Sequence, residues 1–373
     1  MVRSILKLDW VIIIATLFLI GLSLAILFPI SYSGEKVQLS DSHFMRQLIF
    51  AVIGIVVFLF FSFSDYRFLK GYSTVLFLVG LIFLLAVLIF GKTIRGTSGW
   101  FGVGIFHLQP VEPFKLIVAV ILAKYFSLNI RSIESGKHIF ISAVPIFISV
   151  FLILWQPDLG SAIVVVCLWL GVLFVSGVNK KYLAVILIIG LLVGLLGWAY
   201  FLKDYQKARI NALFNPTSDP QGSGYNVIQS TVAVGSGGMW GKGLGHGSQS
   251  QLNFLPEKHT DFIFAVVSEE LGLFGAILVL SLTAVIITRL LYIAKYSLDN
   301  FGKLLVSAIA IFIFVQAFIN IGMNLGIVPV TGIPLPLLSY GGSSIITILA
   351  SLGIAESVYR KGRFDYGLSS DEA

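Results

Sequence analysis

Charge is scarce in this sequence of 373 residues, of which only 12% are charged, whereas soluble domains carry about 25%. Hydrophobic residues make up 57%, and the mean hydropathy is +0.96. A chain this apolar cannot cover its core with polar surface. The composition therefore excludes a soluble enzyme, a disordered protein and a fibrous protein, and it predicts an integral membrane protein.

Cysteine is almost absent, because Cys167 is the only one. This excludes a disulfide framework and a thiolate metal site. The five histidines show no HExxH or similar ligand spacing. The net charge of +7 could suggest nucleic acid, but no dense basic run is present. We therefore expect a membrane surface as the partner of these charges, and no nucleic acid.

Apolar blocks of about twenty residues recur along the chain, and each can cross roughly 30 Å of hydrocarbon as a helix. The first follows Arg3 and Lys7 as in a signal peptide, but without a convincing small-residue cleavage site, so we expect it to stay. The sequence predicts an all-α integral membrane protein with ten transmembrane helices in one domain, residues 1–373. The predicted spans are 10–30, 47–63, 72–90, 111–127, 139–155, 160–177, 182–201, 261–288, 304–325 and 342–359.

The basic residues predict the orientation. An even number of spans places both termini on one side, and 15 of the 25 Lys and Arg residues fall in the segments that share the side of the termini. By the positive-inside rule both termini are cytoplasmic, and the long loop 202–260 between helices 7 and 8 is extracellular. Because the long loops are all on the outer side, we expect the function there.

The glycine-rich segment 235–247 invites comparison with a phosphate-binding loop. The Walker A pattern would need glycine at Ser236 and a hydroxyl residue at Gly243, so the motif is absent. A flexible turn at the membrane surface is the simpler interpretation. What remains is that glycines let backbone N–H groups approach an anion closely.

Three acidic residues mark the start of the eighth predicted helix. Asp261 stands at its outer mouth and could be a helix cap, a general base, or both. Glu269 and Glu270 lie two turns deeper, where an ionised carboxylate costs roughly 2.5–3.5 kcal/mol. They must face protein, water or a cation, either as structural pairs or as part of a proton or substrate path.

Other polar residues at the outer side also allow two interpretations. Glu112 and Lys115 are three residues apart on one helix, so they could neutralise each other or place one charge toward an outer cavity. Asp158 could cap the sixth helix. Arg209 could be a surface contact or a partner for pyrophosphate. Trp100 is most simply an interfacial anchor.

Segment 326–344, GIVPVTGIPLPLLSYGGSS, contains three prolines and Gly332. It cannot be helical throughout. Irregular backbone at a membrane edge is tolerated only where it packs on protein or lines a cavity, so we expect one of these here.

Several motifs together resemble one family over nearly the whole chain. They are QPVEPFK (109–115), QPDLGS (156–161), DYQKARI (204–210), DPQGSGYNVIQS (219–230), GSGGMWGKGLGHGSQSQLNFLPEKHTDFIFAVVSEELG (235–272) and PVTGIPLPLLSYGGSS (329–344). They are similar to the motifs of the SEDS family of bacterial peptidoglycan polymerases. The segment GSQSQLNFLPEKHTDF resembles the elongation-type members of this family more than the division-type members.

The resemblance implies a peptidoglycan glycosyltransferase that polymerises lipid II, with the growing lipid-linked glycan, at the outer face of the bacterial cytoplasmic membrane. Asp261 matches the family's essential carboxylate. Candidate substrate-binding residues are Trp100, Glu112, Lys115, Asp158, Arg209, Gln229, Lys258, His259 and Ser339. The chain departs from the family at Gly99, where many members have arginine, and at Val111, where serine is frequent.

The implied reaction is a single displacement with inversion, in which Asp261 acts as general base and pyrophosphate leaves. The sequence shows no bound cofactor and no dedicated metal cage, although a divalent cation, Mg²⁺ or Mn²⁺, could assist; its ligands are unknown. Implied partners are a class B penicillin-binding protein, which is a transpeptidase, and membrane proteins of the elongation complex. The alternatives are a flippase or transporter of the lipid-linked precursor, and a non-catalytic scaffold.

Overall fold

The computed structural model describes residues 8–32, 42–94, 97–103, 106–133, 136–201, 204–218 and 222–368, and most of these are helical. The helices that correspond to the predicted spans are α1 Trp10–Tyr32, α2 His43–Phe63, α3 Arg67–Phe90, α4 Val111–Leu128, α5 Lys137–Trp155, α6 Leu159–Ser176, α7 Lys180–Leu196, α11 Ile263–Lys295, α12 Asn300–Asn324 and α13 Gly342–Leu368. The labels α8 to α10 belong to shorter helices between α7 and α11.

Nine helices in the described residues are long and apolar enough to cross a membrane. The predicted span that is not among them is α4, which carries Glu112, Lys115 and Lys124 within 18 residues. Helix α7 continues as a π-helical turn over Gly197–Phe201. That ten helices cross the membrane, with both termini on the cytoplasmic side, stays a prediction.

The connection before α4 is not a plain loop. It forms three short antiparallel strands, β1 Lys92–Ile94, β2 Thr97–Val103 and β3 Phe106–Leu108, in the order β1-β2-β3. Lys92 lies opposite Trp100. The all-α prediction is therefore wrong in this detail. Aromatic and β-branched residues separated by glycines were the signal for strands.

The long segment between α7 and α11 is also folded. It contains α8 Asp204–Phe214, α9 Ser223–Ser236 and the single turn α10 Ser248–Gln251. Helix α9 packs against α11, and the hydroxyl of Ser230 donates to the carbonyl of Asn324 at 2.9 Å. Helix α9 therefore rests on the helix bundle rather than extending from it.

Helix α12 forms the centre of the bundle. It packs against α4, α6 and α11, and most of its residues are buried, including four polar ones, Ser307, Gln316, Asn320 and Asn324. Small residues let neighbouring helices approach closely. For example, a Cβ on Gly353 of α13 would lie 2.5 Å from the carbonyl oxygen of Phe58 on α2.

A buried charge cluster ties together the end of the bundle where α1 begins. The backbone N–H of Asp9 donates to Glu356 at 3.0 Å, and Arg289 donates to the carboxylate of Asp9 at 2.9 Å. The cluster joins the start of α1, the last turns of α11 and the buried face of α13. Because α11 begins next to Asp261 and reaches Arg289 near its other end, this cluster lies away from Asp261.

Helix α11 is broken at Gly272, where the backbone has φ 65° and ψ −159°. The glycine-rich segment replaces the lost helical hydrogen bonds. The N–H groups of Lys242 and Gly243 donate to the carbonyls of Glu269 and Glu270 at 3.0 and 2.9 Å. On the other side of the break, the N–H of Leu273 donates to a carbonyl of the same segment, that of Gly238, at 2.9 Å.

This contact explains the glycines that resembled a phosphate-binding loop. A Cβ on Gly237 would lie 1.9 Å from the carbonyl oxygen of Ser268, and one on Gly241 would lie 2.2 Å from that of Glu270. No side chain fits between the two backbones. The structure therefore assigns this segment to closing the break in α11.

We expect Gly241→Ala to destabilise the protein by more than about 2 kcal/mol, because φ is +77° and the methyl group would overlap backbone atoms. Gly190→Ala is the matched control, since a Cβ there meets nothing within 4 Å and alanine in a helix gains about 0.5–1 kcal/mol over glycine. Thermal midpoints in detergent measure both. Equal midpoints for the two variants would contradict the role of Gly241.

Candidate functional site

A cleft of about 140 Å³ opens at the end of the bundle where α11 begins. Four of the residues singled out in the sequence line it: Trp100, Asp158, Arg209 and Asp261. They come from β2, the α5–α6 junction, α8 and the start of α11. The fold thus brings together polar side chains that are up to 161 positions apart in the chain.

Asp261 is held firmly by its backbone. It is half-buried and precedes α11, whose cap position is occupied by Phe262 rather than by Asp261. Its N–H donates to the carbonyl of Glu257 at 3.1 Å. Its own carbonyl accepts from the amide groups of Asn320 and Asn324, at 3.0 and 2.9 Å. The Asp261 side chain lines the cleft and does not occupy the helix-cap position.

The carboxylate of Asp261 lies beside a wall formed by the proline-rich segment. A Cβ on Gly332 would lie 3.7 Å from the Oδ2 atom of Asp261, and Gly332 has a positive φ of 76°. Thr331, Pro334 and Tyr340 of the same segment also line the cleft. Glycine at 332 therefore keeps this side of the carboxylate open.

Ser339 holds this wall from within. Its hydroxyl donates to the carbonyl of Thr260 at 2.6 Å and accepts from the N–H of Leu335 at 2.8 Å. The N–H of Tyr340 donates to the carbonyl of His259 at 2.8 Å. Ser339 is therefore placed to join the wall to the segment that carries Asp261, and it is not among the residues that line the cleft.

Side chains of the first two helices satisfy further backbone groups of the wall. Gln47 of α2 donates to the carbonyl of Ser339 and accepts from the N–H of Gly341, both at 3.2 Å. Ser23 of α1 donates to the carbonyl of Leu338 at 2.6 Å. The segment thus packs on protein and lines a cavity, which are the two conditions under which irregular backbone is tolerated at membrane depth.

Glu112 and Lys115 pair with each other. The Lys115 ammonium lies 2.7 Å from the Glu112 carboxylate, and the two side chains are only 0% and 3% exposed. The ammonium also lies 5.8 Å from the ring centre of Phe312 on α12. Neither residue lines the cleft. Mutual neutralisation is therefore the interpretation that the geometry supports, and contact with a substrate stays a prediction.

Asp158 both caps a helix and lines the cleft. Its Oδ1 atom accepts from the N–H of Ser161 at 2.9 Å, at the start of α6. Its Oδ2 atom lies 3.4 Å from the amide of Gln109. Burial raises the pKa of Asp158, although the Ser161 N–H and the charge of Lys115 act in the opposite direction. A carboxyl group that is protonated more readily repels a bound anion less.

Lys258 is directed into the protein. Its ammonium donates to the carbonyl of Ser250 and to the Asn253 side chain, the latter at 2.8 Å, and burial lowers its pKa. Gln229 is half-buried on α9. Neither lines the cleft, so their predicted contacts with substrate are untested by this geometry.

His259 also lies beside the cleft rather than in its lining. Its ring stacks on that of His43 with 4.2 Å between centres, and its Nε2 atom is 3.8 Å from the Glu257 carboxylate. The ring of Tyr340, which does line the cleft, lies 4.7 Å from His43. This aromatic group supports the segment before Asp261.

Glu269 and Glu270 each bind groups of the segment between α9 and α11. Glu269 accepts from the Lys242 ammonium at 2.8 Å and from the N–H of Gln249 at 2.9 Å. Glu270 accepts from the hydroxyl of Ser250 at 3.3 Å. Both side chains therefore fix the segment between α9 and α11 onto the broken helix, which is the structural alternative considered from the sequence.

The sequence did not single out several polar residues that complete the cleft, including Thr97, Gln109, Thr331 and Ser343. Gln109 and Ser343 belong to the motifs QPVEPFK and SYGGSS, and the Ser343 hydroxyl accepts from the Gln109 N–H at 2.9 Å. Their position within these motifs was the only sign in the sequence that they could belong to the site. Only the packing of distant motifs shows which of their side chains face the cleft.

Among the described residues, no three His, Cys, Asp or Glu side chains converge on a point that could hold a metal ion. Two carboxyl groups, Asp158 and Asp261, line the cleft. A divalent cation there would have to take most of its ligands from a bound phosphate and water, as Mg²⁺ commonly does.

The fold and the cleft are those of a multi-pass helical membrane protein. Its polar cleft contains carboxylates and an arginine and lies at one end of the bundle. The family model for the FtsW, RodA and SpoVE group, described as "Cell cycle protein", matches residues 9–363. The chain belongs to this family.

Curated relatives and solved structures agree. Peptidoglycan glycosyltransferase MrdB of Escherichia coli (strain K12) is 39% identical over 330 residues, which are 88% of each chain. Stage V sporulation protein E of Bacillus subtilis (strain 168) is 39% identical over 363 residues, covering 95% of this chain and 98% of that protein.

The solved structure of a peptidoglycan synthase complex that coordinates polymerization and crosslinking contains a chain with TM-score 0.81 and 33% identity, covering 95% of this chain and 98% of that one. Rod shape determining protein RodA of Thermus thermophilus matches with TM-score 0.70 and 29% identity, covering 95% and 97%.

Glu112 and Lys115 provide a test of the buried ion pair. Glu112→Gln should lower stability by about 3–5 kcal/mol, because it leaves a buried ammonium without its counter-charge. Adding Lys115→Met should recover a large part of this loss, since the double variant buries no charge. Thermal midpoints in detergent measure both. A double variant less stable than Glu112→Gln would contradict mutual neutralisation.

Proposed function

We propose that this protein is a peptidoglycan glycosyltransferase that polymerises lipid II, with Asp261 as the general base. One observation carries the proposal: Asp261 and Arg209 line the same cleft in a member of a family whose curated relatives include peptidoglycan glycosyltransferases. A base and a cation in one cleft suit the transfer of a sugar from a pyrophosphate.

In the proposed reaction, the 4-hydroxyl oxygen of the acceptor GlcNAc attacks the anomeric carbon of the MurNAc donor. Asp261 takes the hydroxyl proton as the new C–O bond forms. The bond from the anomeric carbon to the pyrophosphate oxygen breaks, and the lipid pyrophosphate leaves with the electron pair. One carboxylate suffices for such an inverting displacement. Because a sugar hydroxyl is far less acidic than Asp, proton transfer accompanies attack.

The leaving pyrophosphate needs its charge neutralised more than it needs a proton. Among the described residues, Arg209 is the cationic residue that lines the cleft, and a guanidinium can bind two phosphate oxygens at once. Trp100 and Asp158 line the same cleft and would contact the sugar or the phosphate. If Mg²⁺ or Mn²⁺ takes part, it would take most of its ligands from the bound phosphate and water and would add neutralising charge.

We further propose that the cleft faces the extracytoplasmic side of the bacterial cytoplasmic membrane. The charge bias that predicts cytoplasmic termini supports this orientation, because the described Lys and Arg residues of the inner segments, such as Arg67, Arg289 and Arg360, lie at the end of the bundle opposite the cleft. Lipid II would then be used after it has reached the outer leaflet.

The proposed partner is a class B penicillin-binding transpeptidase, with elongation-complex proteins nearby. The structural neighbour from a complex that coordinates polymerization and crosslinking supports it. An elongation role rests on the motif GSQSQLNFLPEKHTDF and on the likeness to a rod shape determining protein. We expect expression of this protein to rescue the growth of a strain depleted of its elongation polymerase. It should not rescue a strain depleted of its division polymerase.

Asp261→Asn should lower the rate of lipid II polymerisation by about 10²–10⁴-fold, the contribution of a general base. The amide keeps the shape of the side chain but cannot accept the proton. Asp299→Asn is the matched control, because Asp299 caps α12 at the opposite end of the bundle and asparagine caps equally well. Gel analysis of labelled glycan measures both. Parental rates with Asp261→Asn would exclude the base.

Arg209→Ala should raise the KM for lipid II or lower kcat/KM by about 10- to 100-fold, the loss of a charge-assisted contact worth about 1.5–3 kcal/mol. Arg209→Lys should lose less, since it keeps the charge but not the two-point geometry. Parental kcat/KM in Arg209→Ala would show that another cation binds the pyrophosphate.

An assay that controls which leaflet contains lipid II distinguishes the polymerase from the transporter. We expect purified protein in vesicles to polymerise lipid II placed on the leaflet that the cleft faces, with no movement of lipid between leaflets. Translocation of fluorescent lipid II without any polymer would support the flippase instead.

A further inference from the structure

We propose that Asn320, assisted by Asn324, is a positioning residue that sets the distance between the Asp261 carboxylate and the Gly332 wall of the cleft. This inference rests on the proposed function of Asp261. The two asparagines are one helical turn apart on α12, so their side chains share one face. Both are completely buried.

Asn320 bonds to both sides of the cleft with one amide group. Its Nδ2 atom donates to the carbonyl of Asp261 at 3.0 Å and to the carbonyl of Ile333 at 2.8 Å. Ile333 directly follows Gly332, whose Cα faces the Asp261 carboxylate. Both N–H bonds of the amide are used. Asn320 therefore fixes the segment before α11 and the proline-rich segment relative to each other.

Asn324 completes the arrangement. Its Nδ2 atom donates to the same Asp261 carbonyl at 2.9 Å and to the carbonyl of Asn320 at 2.8 Å. Its Oδ1 atom accepts from the N–H of Ala265 at 3.0 Å. That N–H belongs to the first turn of α11, where Phe262 offers no capping side chain. Asn324 thus caps α11 from another helix.

The geometry explains how the backbone that carries the carboxylate is positioned. The backbone of Asp261 is fixed through its N–H and, twice, through its carbonyl. A proton acceptor must lie within hydrogen-bond reach of the attacking hydroxyl, and a displacement of about 1 Å can cost about 100-fold in rate. Loss of the Asn320 amide should therefore lower kcat more than it raises KM.

Asn320→Met removes the amide and keeps the number of heavy side-chain atoms, in an unbranched and bulkier side chain. We expect kcat for lipid II polymerisation to fall about 10- to 100-fold while KM changes less than threefold. Gln316→Met is the matched control: Gln316 lies one turn away on α12, is equally buried, and neither of its amide atoms has a hydrogen-bond partner among the described residues. Its kcat should remain parental.

Asn320→Asp adds a test by pH and covers the case in which Asn320→Met fails to fold. An aspartic acid at 320 can donate to a carbonyl only when protonated, and its ionised form would face two carbonyl oxygens. The ratio of its kcat to that of the parent should therefore rise as the pH falls. Parental kcat in Asn320→Met, or a ratio for Asn320→Asp that is independent of pH, would overturn the inference.

Asp261→Asn in the same assay keeps the two proposals apart. If the parent polymerises lipid II, Asp261→Asn does not, and the Asn320 variants keep the parental kcat, only the positioning role is lost. If the purified parent with its transpeptidase partner forms no polymer, the proposed function fails first.

Discussion

The structure depends on satisfying backbone hydrogen bonds where irregular segments pack against the helices. Two irregular segments lie against the helices, and unpaired N–H or C=O groups there would each cost several kcal/mol. The proline-rich segment is satisfied by side chains, among them Gln47, Asn320 and Ser339. The glycine-rich segment is satisfied by the backbone of broken α11. The buried polar residues of this apolar chain thus follow from its irregular backbone.

The same constraint shapes the candidate site. Asp261 precedes the cap residue of α11, and the N–H of Ala265 bonds to Asn324 instead of to Asp261, so two asparagines of α12 supply the donors for the Asp261 carbonyl. Its carboxylate is left to line a cleft with Arg209 and Asp158. Rigid helices hold the residues that support the site, while the segments between helices supply the residues that line it. A reaction that transfers a large lipid-linked sugar needs such an open but firmly held site.

The charged residues serve two purposes, because some form ion pairs within the protein and others line the cleft. Glu112 with Lys115, Glu269 with Lys242, and Asp9 with Arg289 are ion pairs in which one or both partners are buried. Each joins separate turns, segments or helices, and none of these residues lines the cleft. Asp158 combines both uses, since one of its oxygens caps α6 while the side chain lines the cleft. Among the described residues, few charged side chains therefore line the cleft where a substrate would bind.

The sequence alone predicted the class of protein and the approximate position of each long helix, and it marked Asp261 as the candidate base, because hydrophobic blocks and contiguous motifs are local properties. It could not show that the glycine-rich segment closes a helix break, that Lys92–Ile94, Thr97–Val103 and Phe106–Leu108 form strands, or that Lys258 points inward. Nor could it distinguish Asn320 from Gln316, two buried amides one turn apart. Those outcomes depend on which distant backbone groups each side chain meets, and only the packed bundle decides that.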